Sequence, residues 1–121
     1  MKTFIADSSA WIWYFDANPR LKPFFDENRI ETPASAVAEI KRVLRKRGHI
    51  PQTVQKALDT VIRRSLILEL TADQAAKAGE IAFTRRMHLL DAFVYAHASE
   101  SKTVLTADKD FKGKPFVELV E

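Results

Sequence analysis

Hydrophobic and polar positions along the 121-residue chain follow two different periods. Short apolar runs at Thr3–Ala6, Ile30–Thr32, Leu66–Leu70, Thr103–Thr106 and Phe116–Val120 read as strands. The segments between them repeat with helical spacing. Asp7-Ser8-Ser9 offers cap residues for a helix over Ala10–Phe15, and Leu21, Phe24 and Phe25, broken up by Pro19 and Pro23, suggest a short second helix. From Ser35 to Arg47, the residues Ala36, Val37, Ile40, Val43 and Leu44 form one apolar stripe, and Gly48 is a natural stop. Pro51 suits the first turn of a helix to Arg64. Thr71 can cap a helix from Ala72 to Arg86, and Leu89–Ser101 reads as another.

Strands that alternate with helices predict an α/β fold with a parallel sheet covered on both faces and right-handed crossovers. Ligands of such sheets bind beyond the carboxyl ends of the strands, where the strand order reverses. No repeat, low-complexity tract or linker interrupts the pattern, so residues 1–121 are expected to form a single domain.

Composition narrows the chemistry. At 46% hydrophobic and 29% charged residues, the chain reads as an ordinary globular protein. It has no cysteine, which excludes disulfides and thiolate-bound zinc and suits a cytoplasmic location. Phe4-Ile5-Ala6 is too short for a signal-peptide core, and no window is apolar enough to span a membrane. Net charge is +3 and the pI about 9.3, compatible with a nucleic-acid partner. Lys41, Arg42, Arg45, Lys46 and Arg47 cluster, and Arg63–Arg64 and Arg85–Arg86 form basic pairs. These suit solvated helix ends or, near an acidic metal site, a phosphate-binding patch.

Four acids stand out. Asp7 follows the first strand and Asp108 follows the strand Thr103–Thr106, so both sit at carboxyl ends. Glu39 lies beside the apolar stripe of its helix, a costly place for an unpartnered charge. Asp91 is embedded between Leu89-Leu90 and Ala92-Phe93-Val94. Singly, Asp7 and Asp91 could be helix caps, Asp108 a turn residue and Glu39 a boundary residue. Together, converging carboxylates resist ionising unless a cation neutralises them. Oxygen donors without a spaced histidine pair point to Mg²⁺ or Mn²⁺, a chemistry that activates water against phosphate esters. His49, His88 and His97 form no such pair, and no phosphate-loop, dinucleotide, zincin or nucleophile-elbow motif is present.

Four blocks in order, Phe4-Ile5-Ala6-Asp7-Ser8-Ser9-Ala10-Trp11, Pro33-Ala34-Ser35-Ala36-Val37-Ala38-Glu39-Ile40, Leu89-Leu90-Asp91-Ala92-Phe93-Val94-Tyr95-Ala96-His97-Ala98 and Val104-Leu105-Thr106-Ala107-Asp108-Lys109-Asp110-Phe111, resemble the PIN-domain family. Within it the chain is similar to the VapC-type toxins of prokaryotic toxin–antitoxin pairs. The resemblance implies a three-layer α/β/α sandwich around a five-stranded parallel sheet. It implies endonucleolytic RNA cleavage at a Mg²⁺ site, by a metal-activated water attacking phosphorus in line and leaving a 3′-hydroxyl and a 5′-phosphate. Asp7 and Asp91 match the principal metal ligands, and Glu39 and Asp108 the supporting acids. Ser8 or Ser9 and Thr106 match hydroxyl positions beside them. Asp110 then reads as a turn or supporting residue. A VapB-like antitoxin and a homodimer are implied partners, with Trp11, Phe15, Phe24 and Phe25 as material for either subunit contacts or core. A regulatory receiver domain fits poorly, because the second block is helical and adjacent acids after the first strand are lacking. A PIN nuclease of RNA maturation, or a PIN-like binding module, is the remaining alternative.

Overall fold

The computed structural model describes residues 1–121. Its first strand, β1 (Thr3–Ala6), becomes the middle of a five-stranded sheet with order β3-β2-β1-β4-β5. The others are β2 (Arg29–Pro33), β3 (Leu66–Leu68), β4 (Lys102–Thr106) and β5 (Val117–Leu119). All four pairings are parallel, so each needs a crossover. Helices α1 (Ser8–Phe15) and α2 (Lys22–Glu27) connect β1 to β2. Helices α3 (Ala34–Lys46) and α4 (Pro51–Arg64) connect β2 to β3, and α5 (Ala72–Arg85) and α6 (Leu89–Tyr95) lead to β4. A single 3₁₀ turn, Lys109–Phe111, precedes β5. The chain first grows the sheet to one side of β1 and then returns to the other, which puts the reversal between β1 and β4.

The pleat divides the core. Phe4, Ala6, Ile30 and Leu105 face α1 to α4 and pack with Trp11, Phe25, Ile40, Leu44, Val54 and Val61. Ile5 and Val104 face the other way, against Val94, Tyr95 and Phe111. Alanines Ala78, Ala92 and Ala96 let α5 and α6 approach closely. The result is the expected α/β/α sandwich. Trp11 is fully buried, its ring 4.6 Å from that of Phe25, and its Nε1 donates to Thr32 Oγ1 at 3.0 Å. The Thr32 hydroxyl passes the chain on to Ser65 Oγ (2.8 Å), which donates to the Val61 carbonyl (2.7 Å). Trp11 and Phe25 are therefore core. Phe15 and Phe24 pack against that core half-buried, so this aromatic group serves the interior first.

Several boundaries move. α1 starts at Ser8, because Asp7 is its N-cap. β3 stops at Leu68 rather than Leu70. The helix expected over Leu89–Ser101 ends at Tyr95. No glycine or proline marks that end; instead Ser99 and Lys102 exchange backbone hydrogen bonds of 3.0 and 3.2 Å that reverse the chain into β4. Phe116 stays outside β5 with φ of 60°. One charge lies inside the sheet. Glu31 on β2 is 2% exposed and is paired with Lys102 Nζ at 2.8 Å and Arg29 Nε at 3.4 Å.

Candidate active site

The first residue beyond β1 does two things at once. Asp7 N donates to the Leu105 carbonyl at 3.2 Å, which extends the β1–β4 ladder past the strand end. Its Oδ1 then accepts from Ala10 N (2.9 Å) and Ser9 Oγ (2.7 Å), and its Oδ2 from Thr106 Oγ1. The helix-cap role open to Asp7 from sequence is thus real, and it fixes the carboxylate at the point of strand reversal. Ser9 Oγ also accepts from Ala107 N (2.9 Å), and Thr106 Oγ1 from Asp108 N (3.0 Å). Ser9 and Thr106 thereby lock the β4 exit onto the start of α1. Ser9 makes these bonds, while Ser8 lines the cleft above.

An open cleft of about 410 Å³ lies over this point, and Asp7, Glu39, Asp91, Asp108 and Asp110 all line it. They arrive from four parts of the chain. Glu39 comes from α3, half-buried and ion-paired with Arg42 one turn on. Asp91 sits in the first turn of α6, behind the N-cap His88. Asp108 caps the 3₁₀ turn, its Oδ1 accepting from Asp110 N at 2.9 Å. Carboxylate oxygens of Asp91, Asp108 and Asp110 lie within 4.8 Å of one another. Asp110, which reads from sequence as a turn or supporting residue, thus stands closer to Asp91 and Asp108 than its turn setting suggests. His88, Ser35 and Leu89-Leu90 also line the cleft. No spacing rule marked these, because they are brought in by the packing of α3 and α6.

The charge balance is unfavourable for carboxylates alone. Burial pushes the Asp7 carboxyl above its ordinary range; its three hydrogen bonds oppose this and the charge of Asp108 adds to it. Asp91 is pushed up to about 6, first by desolvation and then by Asp108, Asp110 and Asp7, with His88 acting in the opposite sense. Asp7, Asp91, Asp108 and Asp110 repel one another, and the three whose oxygens lie together, Asp91, Asp108 and Asp110, offer oxygen donors with no sulfur or imidazole pair, a set that fits one hard divalent cation. The basic clusters are less available than they look in sequence. Arg42 is held by Glu39, Arg47 by Asp16, and Arg64 by Asp26 and Tyr14.

The sequence profile of the PIN domain family matches residues 4–117. The chain belongs to the PIN domain family. No curated relative matches this PIN domain by sequence. Solved structures with the same fold include a toxin–antitoxin complex from Klebsiella pneumoniae, 22% identical, with a TM-score of 0.71 over 98% of this chain and 96% of that one. A Mycobacterium tuberculosis VapC toxin that cleaves the sarcin–ricin loop is 20% identical, with a TM-score of 0.77 over 96% and 98%. DNA-bound VapBC from Salmonella typhimurium is 17% identical, with a TM-score of 0.76 over 99% and 98%. The resemblance of this PIN domain to them spans nearly the full length on both sides. None of its helices is long and apolar enough to cross a membrane.

Proposed function

We propose that this PIN domain is a divalent-metal-dependent endoribonuclease and the toxin of a VapBC-type toxin–antitoxin pair. The observation that carries the proposal is the meeting of five carboxylates from four parts of the chain in one cleft at the strand reversal. Asp91, Asp108 and Asp110 would hold the cation, with Asp7 as the fixed fourth carboxylate and Glu39 at the far wall. A bound Mg²⁺ or Mn²⁺ supplies positive charge for a phosphate in flight and lowers the pKa of a bound water. The residues contribute the rest. Ser9 and Thr106 keep Asp7 oriented and ionisable by spending both hydroxyl protons on it. Glu39, paired with Arg42, keeps a fifth carboxylate in the cleft without adding an uncompensated charge. No serine or cysteine nucleophile beside a general base is needed, because water attacks the phosphorus directly.

The toxin assignment is supported by full-length likeness to VapC proteins and VapBC complexes. In that setting a small VapB-like antitoxin covers the toxin, which acts in the cytoplasm and forms a homodimer. The decisive experiment is cleavage of single-stranded and structured RNA under a metal titration. Cleavage with Mg²⁺, its loss in EDTA and its loss in Asp7→Asn are expected. Undiminished cleavage by Asp7→Asn overturns the site. For the toxin role, expression should arrest growth and a co-expressed neighbouring small protein should relieve it; growth without arrest favours a maturation nuclease.

A further inference from the structure

We infer that the shallow cavity beside the acidic cleft, walled by Arg86, His88 and Lys114, is a subsite for a backbone phosphate flanking the RNA bond to be cut. The inference rests on the nuclease reading and names the contact that reading lacks. A polyanion entering a cleft lined by five carboxylates is repelled along its whole length except where cations face it. The cavity, about 180 Å³, shares His88, Asp91 and Asp110 with the cleft, so a strand crossing one passes the other. Arg86 and Lys114 both line it. Neither side chain enters an ion pair, unlike Arg42, Arg47 and Arg64. The adjacent Arg85 is occupied on the Tyr95 ring, 5.3 Å from its centroid.

The backbone adds a second observation. Arg86 ends α5 in the left-handed conformation (φ 54°, ψ 46°), a position that glycine fills at no steric cost. An arginine there keeps a conformation that disfavours it and gains no protein partner. A phosphate contact accounts for its presence.

The test uses Arg86→Gly, Lys114→Ala and the double variant of the full chain. Glycine suits the Arg86 backbone, so Arg86→Gly folds at least as well as the parent, and circular dichroism melting verifies this. In cleavage assays the double variant should raise KM about 10-fold with kcat and the Mg²⁺ requirement nearly unchanged. Anisotropy of a labelled single-stranded RNA on the Asp7→Asn background should show the salt slope of the double variant reduced by about 0.7, the value for one phosphate no longer neutralised. Arg86→Lys should recover most of the affinity, since charge is what is read. Unchanged KM and slope alongside cleavage by the wild type overturn the subsite alone. A shift in the Mg²⁺ requirement with unchanged KM overturns it too, by making Arg86 and Lys114 partners of the metal site. Wild-type protein that leaves RNA intact overturns the nuclease reading itself, and the subsite with it.

Discussion

Replacing Asp91 by asparagine removes one negative charge from a group of four and leaves its shape in place. Asp91 accepts no hydrogen bond from the protein, so the amide forfeits no partner, while its carboxyl is pushed up to about 6 by burial and by Asp108, Asp110 and Asp7. A folded-state pKa above the unfolded value, for an acid, means that the folded protein binds the proton more tightly. Stability is therefore lost as pH rises from about 4 to about 6, and the loss persists above that window. A displacement from 3.8 to about 6 corresponds to about 3 kcal/mol at pH 8. Solvent reaching this partly exposed group screens part of it, leaving about 1–3 kcal/mol. Asp91→Asn should thus be more stable than the wild type by that amount in EDTA at pH 8, and by about a third as much at pH 4.5. Urea unfolding at both pH values measures it. Adding Mg²⁺ should reverse the order, by stabilising the wild type through binding and the variant much less. If the variant is the less stable one at pH 8 in EDTA, or if the gap does not change with pH, the electrostatic account of the cleft is wrong.

Other substitutions probe separate parts. Thr106→Val should remove one donor from Asp7 and orphan part of a buried carboxylate, lowering cleavage at least 10-fold and destabilising the fold by about 1–3 kcal/mol, read by kinetics and melting together. Lys102→Ala leaves Glu31, 2% exposed, with only the longer, solvent-exposed pair to Arg29, and should cost about 3–5 kcal/mol; the added change Glu31→Gln should recover much of it in a double-mutant cycle. Trp11→Ala opens the centre of the larger core and frees Thr32 Oγ1, for an expected loss of about 3–5 kcal/mol by urea titration.

Elements with a strong period were legible from residues alone. The stripe of α3 and the runs of β1 and β4 alone put Asp7 and Asp108 at strand ends and Glu39 beside an apolar face. The end of α6 was not legible, because Ala96-His97-Ala98-Ser99 carries no helix breaker; the turn is imposed by the Ser99–Lys102 backbone pair, a contact that exists only once β4 joins the sheet. The grouping of Asp110 with Asp91 and Asp108 was hidden for a related reason. Nothing in Thr106-Ala107-Asp108-Lys109-Asp110 announces the 3₁₀ turn that follows β4, and the approach of both acids to Asp91 depends on how that turn packs beside α6. Glu31 was missed because a charge inside a short strand is masked by its apolar neighbours, and its partner Lys102 lies 71 positions away.

The central place of β1 has a consequence for how the molecule comes into being on a ribosome. The first strand made is the one that must wait longest, since its second neighbour, β4, is separated from it by almost the whole chain. The hydroxyl of Thr106 that orients Asp7 is 99 positions downstream of it. Nascent chains shorter than that carry the N-terminal acid but no cleft around it. Loop closure over such a span is slow and comes late. A prematurely released fragment therefore lacks the Thr106 hydroxyl and the β4 exit that complete the acidic cleft, and under the proposed nuclease function it leaves RNA uncut.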